Sequence, residues 1–193
     1  MKTIQYEVKN ELVIKKSKFI TFLYPVSSKE ECENHLKKIK SEYKGANHYC
    51  YAYKIDSTEK CSDDGEPSKT AGLPMLNVLK NEDMNHILCI VVRYFGGIKL
   101  GASGLIHAYQ DSVKEIVLKT EFIECTEGYL IQTSFSYDQS KNMDYILKDY
   151  RIIEKKYDEK ITYTFEIEKD KLRFIQDSLT EFQIIKNIYT EKK

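Results

Sequence analysis

The chain has no excess of charge of either sign, because 30 Lys and Arg residues face 30 Asp and Glu residues. Total charge therefore decides nothing about nucleic acid or membrane; only its distribution can. A C-x-x-C pair is also missing. The five cysteines, Cys32, Cys50, Cys61, Cys89 and Cys125, are odd in number and widely spread. That excludes a zinc knuckle or a thioredoxin-like redox pair built on that motif. No run of about 18 apolar residues is present, so no membrane-spanning helix is expected. The opening residues MKTIQYEVKNELVIKK contain no apolar leader core. Low-complexity tracts are absent. These absences predict a reduced, cytoplasmic protein with no membrane partner.

What is present is an ordinary globular composition. The chain of 193 residues, 41% of them hydrophobic, suffices for one large domain or two small ones. Residues 1–120 carry 18 basic and 15 acidic groups, a net of +3, and the remainder carries 12 and 15, a net of −3. The asymmetry is small and fits two units.

The elements can be read in order. ELVIKKSKFITFLYPV predicts two strands around a turn near Lys15 to Ser17. Ser28 and Glu31 form a capping box ahead of a helix with Cys32, Leu36, Ile39 and Tyr43 on one face. HYCYAYKI alternates strictly, with Tyr49, Tyr51, Tyr53 and Ile55 on one face of a strand. Those tyrosines either stack nucleic-acid bases or pack under a helix. DSTEKCSDDGEPSKTAG reads as a loop, and Pro74 suits the first turn of a short helix. HILCIVVRYF is nearly continuous in apolar residues and predicts a strand buried on both faces. A long helix follows, with Leu105, Ala108, Tyr109, Val113 and Ile116 in its stripe. From about Glu121 the pattern becomes β-α-β-β-α-β, the order of a ferredoxin-like domain. The expected division is 1–124 and 125–193, each an α+β unit.

Two loops carry the chemistry. In VVRYFGGIKLGASGLIHAY (Val91 to Tyr109), Gly96, Gly97, Gly101 and Gly104 leave the backbone bare between a strand and a helix. Converging amides and a helix N-terminus make an anion-binding concavity, with Arg93 and Lys99 supplying charge and His107 following on the helix. A tight turn needed only for packing accounts for the same glycines. The stretch is not a Walker A loop, since Ala102 occupies the lysine slot, and no G-x-G-x-x-G is present. In the second loop Asp63, Asp64 and Glu66 lie within four positions. They could hold Mg²⁺, act as acid and base, or cap helices. No metal is assigned, and no cofactor is expected. His48 is a candidate base or a hydrogen-bonded structural residue, and Cys61, beside Lys60, is a candidate reactive thiol.

SDDGEPSKTAGLPML (Ser62 to Leu76) and VVRYFGGIKLGASGLIHAY together resemble the signature blocks of the YigZ/IMPACT family, and HYCYAYKI resembles a third. This chain departs from the usual pattern at Tyr49, Lys69, Ser103 and His107, where the family usually has asparagine, glycine, glycine and arginine. The resemblance implies an N-terminal sheet covered by helices, like domain 2 of a small-subunit ribosomal protein. It also implies a ferredoxin-like C-terminal domain. The function expected is RNA or ribosome binding in translational control, with the protein partner unknown. The alternative is an enzyme acting on a small anionic or phosphorylated substrate at a carboxylate-lined, Mg-dependent site.

Overall fold

The computed structural model describes residues 1–192. The chain divides into two compact units, Met1–Ile123 and Glu124–Lys193. In the first, β1 (Lys2–Thr3) is a short strand whose Lys2 bridges to Met84. β2 (Val8–Ile14) and β3 (Ser17–Pro25) pair as an antiparallel hairpin. A two-residue turn matches the strand twist when both residues take left-handed backbone. Here Lys15 and Lys16 do so, with φ of 45° and 65°.

α1 (Lys29–Glu42) starts at Ser28, whose hydroxyl accepts the Glu31 amide at 3.2 Å. The reciprocal half of the expected capping box goes elsewhere. The Glu31 carboxylate accepts from the Ser27 amide at 2.7 Å and the Ser27 hydroxyl at 2.8 Å. The Ser27 amide and hydroxyl hold the Glu31 carboxyl below the usual carboxylate range.

β4 (His48–Ile55) and β5 (Thr58–Ser62) form a second antiparallel hairpin. β5 lies inside the stretch expected to be all loop. It is an edge strand exposed over most of its length, so backbone pairing holds it and no apolar alternation announces it. α2 (Gly72–Asn81), β6 (Ile87–Tyr94) and α3 (Gly101–Leu118) complete the unit. The five-stranded sheet runs β2-β3-β6-β4-β5, with every neighbour antiparallel.

β6 is the middle strand, which explains its unbroken apolar run. Leu88, Ile90 and Val92 pack on one face with Cys32 and Ile39 of α1. Ile87, Cys89 and Val91 pack on the other with α2 and with Leu105, Tyr109 and Val113 of α3. Tyr49, Tyr51 and Tyr53 lie on the α1 side, so the aromatic face of β4 is core rather than a free stacking platform. No helix among the described residues is long and apolar enough to cross a membrane.

The second unit contains β7 (Ile123–Phe135), α4 (Ser140–Ile146), β8 (Arg151–Tyr157), β9 (Ile161–Glu168), α5 (Leu172–Ser178) and β10 (Gln183–Glu191). Its strands run β10-β7-β9-β8, all antiparallel. Ile131, Tyr163, Phe165 and Ile167 on one face pack against Met143 and Leu147 beside α4 and against Ile175 of α5.

The β6–α3 connection passes close under the β2–β3 turn. A Cβ on Gly96 would lie 2.0 Å from the Lys16 carbonyl carbon and oxygen, so a side chain there must displace backbone. Gly96→Ala is therefore expected to lower the unfolding free energy by about 1–3 kcal/mol, by analogy with overpacked cores. Urea denaturation measures it, and an unchanged midpoint would show that the turn yields freely.

Candidate functional site

Sheet register places the site. Arg93, the penultimate residue of β6, stands opposite Phe19 of β3 and His48 of β4. All three lie on the α2/α3 face, by alternation with Val91 and Cys50. Asn47 fixes the strand end: its amide donates to the Arg93 carbonyl at 2.9 Å, and its side-chain oxygen accepts the Phe95 amide at 2.8 Å.

The acidic loop crosses this end of the sheet, and its three carboxylates point three ways. Asp63 Oδ1 accepts the amides of Ala71 and Gly72 at 3.0 and 2.9 Å, and Oδ2 accepts that of Lys69 at 2.8 Å. Asp63 thus caps α2 from outside the helix, where the orphan amides of a first turn need acceptors. Asp64 Oδ2 accepts the Tyr49 amide at 2.7 Å, while Oδ1 meets Lys40 at 3.2 Å. Among the described residues no group of three or more acidic, histidine or cysteine side chains could hold a metal. Of the readings left open for these three, capping describes Asp63, while Asp64 is held by a strand amide and a lysine, so the three do not form one shared carboxylate site.

Glu66 alone turns inward. Its Oε1 accepts from Arg93 Nη1 at 2.6 Å and from the Tyr109 hydroxyl at 2.8 Å. The Glu66 and Arg93 side chains are 3% and 6% exposed. The Arg93 guanidinium lies over the rings of Phe19 and Phe95, at 5.4 and 5.6 Å, and its Nη2 reaches the Ser17 hydroxyl at 3.4 Å. Its Nε is buried without a hydrogen-bond partner. Burial, with Cys50 and Glu66 close by, pushes the Tyr109 hydroxyl far up and keeps it a donor. Arg93 was expected to face an anion; it is instead neutralised by this carboxylate.

His48 Nδ1 lies 2.9 Å from the Asp64 carbonyl. A carbonyl only accepts, so Nδ1 carries the proton in the neutral ring. Nε2 then faces Glu66 Oε2 at 3.7 Å.

A cleft of about 370 Å³ opens over this cluster, lined by Asn47, His48, Glu66, Pro67, Arg93, Phe95 and Lys99 to Ala102, with Leu105. The acidic and glycine loops therefore share one cleft. Of the residues expected to bind an anion, Arg93, Lys99 and Gly101 line it; Gly96, Gly97, Gly104 and His107 do not. The Gly96 amide already donates to the Ser17 hydroxyl at 3.2 Å. His107 is exposed on α3. Of the expected anion-binding set, what the cleft leaves free of internal partners among the described residues is Lys99 and the first turn of α3, which has no side-chain cap and no acidic residue. Gly101 opens that turn with φ of 75°, a conformation that favours glycine. Tyr109 and Phe95 were not singled out from sequence as site residues. The register of Arg93 and the helical stripe are the signals that point to them.

A helix-covered antiparallel sheet whose acidic and glycine loops converge on one cleft defines the class. The chain matches the Impact N-terminal domain over residues 15–117, which contain the whole Glu66–Arg93 cluster. It belongs to the IMPACT family, as its motifs led us to expect. IMPACT family member YvyE of Bacillus subtilis is 37% identical over 184 residues, covering 93% of this chain and 85% of the relative. IMPACT family member YigZ of Escherichia coli is 39% identical over 107 residues, 53% of this chain and 52% of its own. A crystal structure of a hypothetical protein aligns over 100% of this chain and 98% of its own, with a TM-score of 0.63 and 27% identity.

Removing one member of a buried, hydrogen-bonded ion pair strands the other. Glu66→Ala and Arg93→Met are each expected to destabilise by about 3–5 kcal/mol. The double variant should lose clearly less than the sum, which a urea double-mutant cycle reads directly; strict additivity would mean that the two groups act independently. Cys61 is half-buried, and burial together with Asp63 pushes its thiol up. Its labelling by a disulfide reagent at mildly alkaline pH is expected to be slower than that of free cysteine. A faster rate would restore it as a reactive thiol.

Proposed function

We propose that the protein binds RNA through its phosphate backbone and acts in translational control, with the ribosome as the expected partner and the cytoplasm as its place of action. Family membership supports the translational part of this reading. One observation carries the RNA part: lysines gather where the loops meet at the end of β6.

Lys99 lines the cleft. Lys15 and Lys16 form the turn against Gly96. Lys44 lies on the other, α1 face of the same sheet end, where its carbonyl accepts from the Tyr94 hydroxyl at 3.4 Å. Lys69 belongs to the acidic loop, two residues from the cleft-lining Pro67. All five are exposed, and none forms an ion pair among the described residues. Phe95, 45% exposed, lines the same cleft as Lys99, and Ile98, 42% exposed, precedes that lysine in the chain. Lysines without ion pairs and an exposed aromatic side chain at the same cleft suit a single strand, whose phosphates take the charge and whose bases stack. Of the acidic-loop carboxylates, Glu66 is paired with Arg93 and Asp64 with Lys40, while Asp63 is taken up by the amides of Lys69, Ala71 and Gly72.

The observed strand orders support the finer fold reading too. β10-β7-β9-β8 suits a ferredoxin-like second unit, and the helix-covered sheet suits a ribosomal-protein domain 2-like first unit.

Phosphate contacts release counterions, so affinity should fall steeply between about 50 and 200 mM salt. Lys99→Glu is expected to weaken binding of single-stranded RNA and to flatten the salt slope by about 1 or more. Combining it with Lys16→Glu and Lys69→Glu should weaken binding further. Fluorescence anisotropy with labelled RNA measures both quantities. Wild-type protein with no salt-dependent association with RNA or ribosomes would overturn the reading.

A further inference from the structure

The floor of the cleft has a chemistry that phosphate binding does not use. Glu66 Oε1 takes both hydrogen bonds that reach this carboxylate, from Arg93 and Tyr109. Oε2 is left with His48 Nε2 at 3.7 Å, beyond hydrogen-bond distance. With the His48 proton held on Nδ1 by the Asp64 carbonyl, Nε2 presents a lone pair. Two acceptors stand side by side on the floor with no donor between them. At the mouth of the same cleft are Lys99 and the uncapped start of α3 at Gly101. Phe95 forms a wall, backed by the Arg93 guanidinium and 45% exposed.

We propose that this cleft holds a single guanine nucleotide of the bound RNA. The base lies against Phe95. Its adjacent N1–H and N2 amino donors point to Glu66 Oε2 and His48 Nε2, and its phosphate lies toward Lys99 and Gly101. Guanine is the base whose pairing edge puts two donors next to each other. Adenine and cytosine offer one amino group beside an acceptor, and uracil offers one N–H between two carbonyls. Those three bring an acceptor against Glu66 or His48 and leave a site acceptor unpaired, which is how a hydrogen-bonding pocket discriminates. The volume of about 370 Å³ falls within the range of small-ligand pockets. This inference rests on the RNA reading for its phosphate end, while its base end is independent of the lysine rim.

The test is calorimetric titration of the full chain with the 5′-monophosphates of guanosine, adenosine, cytidine and uridine. GMP is expected to bind at least about fivefold more tightly than the other three, from one bidentate contact. Glu66→Gln should erase that preference. Because that change also breaks the Arg93 pair, Phe95→Ala provides a second arm: it should weaken GMP several-fold while the protein remains folded, as read by its circular dichroism spectrum. Equal affinities for the four nucleotides, no binding of any, or GMP binding indifferent to Phe95→Ala would overturn the proposal. RNA binding that persists through such a result leaves the lysine rim standing. A GMP preference without salt-dependent RNA binding would instead sink the rim.

Discussion

The pairing of Glu66 with Arg93 is the constraint on which the site depends. One carboxylate joins the acidic loop to the central strand, through Tyr109 to α3, and through Arg93 to Ser17 at the start of β3. Removing two charges from water costs several kcal/mol each, and their attraction returns it only with close geometry and further hydrogen bonds. Here Glu66 has the short contact and the tyrosine, and Arg93 has two aromatic rings within 5.6 Å. The outcome is positional. A long polar loop that could sample many paths is held against one residue of a rigid strand. Asp63 pins the same loop three residues earlier, by capping α2. The cleft exists because the loop is fixed at both points.

Charge is then sorted by depth. The deepest charges cancel, so the floor is polar without being strongly charged. The five lysines outside are exposed and form no ion pair among the described residues, although the chain is neutral in sum. A distant polyanion senses only the rim. A group that enters meets directional acceptors and an aromatic wall. On the proposed RNA reading, attraction and discrimination would fall to different shells of one cavity, the division between backbone contacts and base contacts in nucleic-acid recognition.

Much of the fold is legible in the residues. The unbroken run of β6 means burial on both faces, and α1 and α2/α3 supply the two covers. The order of elements after Glu121 follows from alternation and helix periods alone. β5 is not legible, because Thr58–Ser62 owes its strand to pairing with β4 and not to its side chains. The site is half legible. Lys99 and Gly101 follow from the logic of a bare turn before a helix. Arg93 misleads, because only register and the path of the acidic loop show that its charge is already met. Glu66 cannot be told from Asp63 and Asp64 by composition. The three differ in which backbone amides lie nearby, and sequence order does not carry that information.

The turn lysines have a consequence of their own. Lys15, Lys16 and Lys69 take φ values of 45°, 65° and 62°, in the region where asparagine and glycine are at ease. Lys69 occupies a position where the family usually has glycine. An engineer seeking a hardier protein would turn to these three places first and exchange lysine for a residue that likes the bend. Each exchange would strip a positive charge from the face proposed to meet RNA, so on that reading durability and grip would be set against each other at the same peptide units.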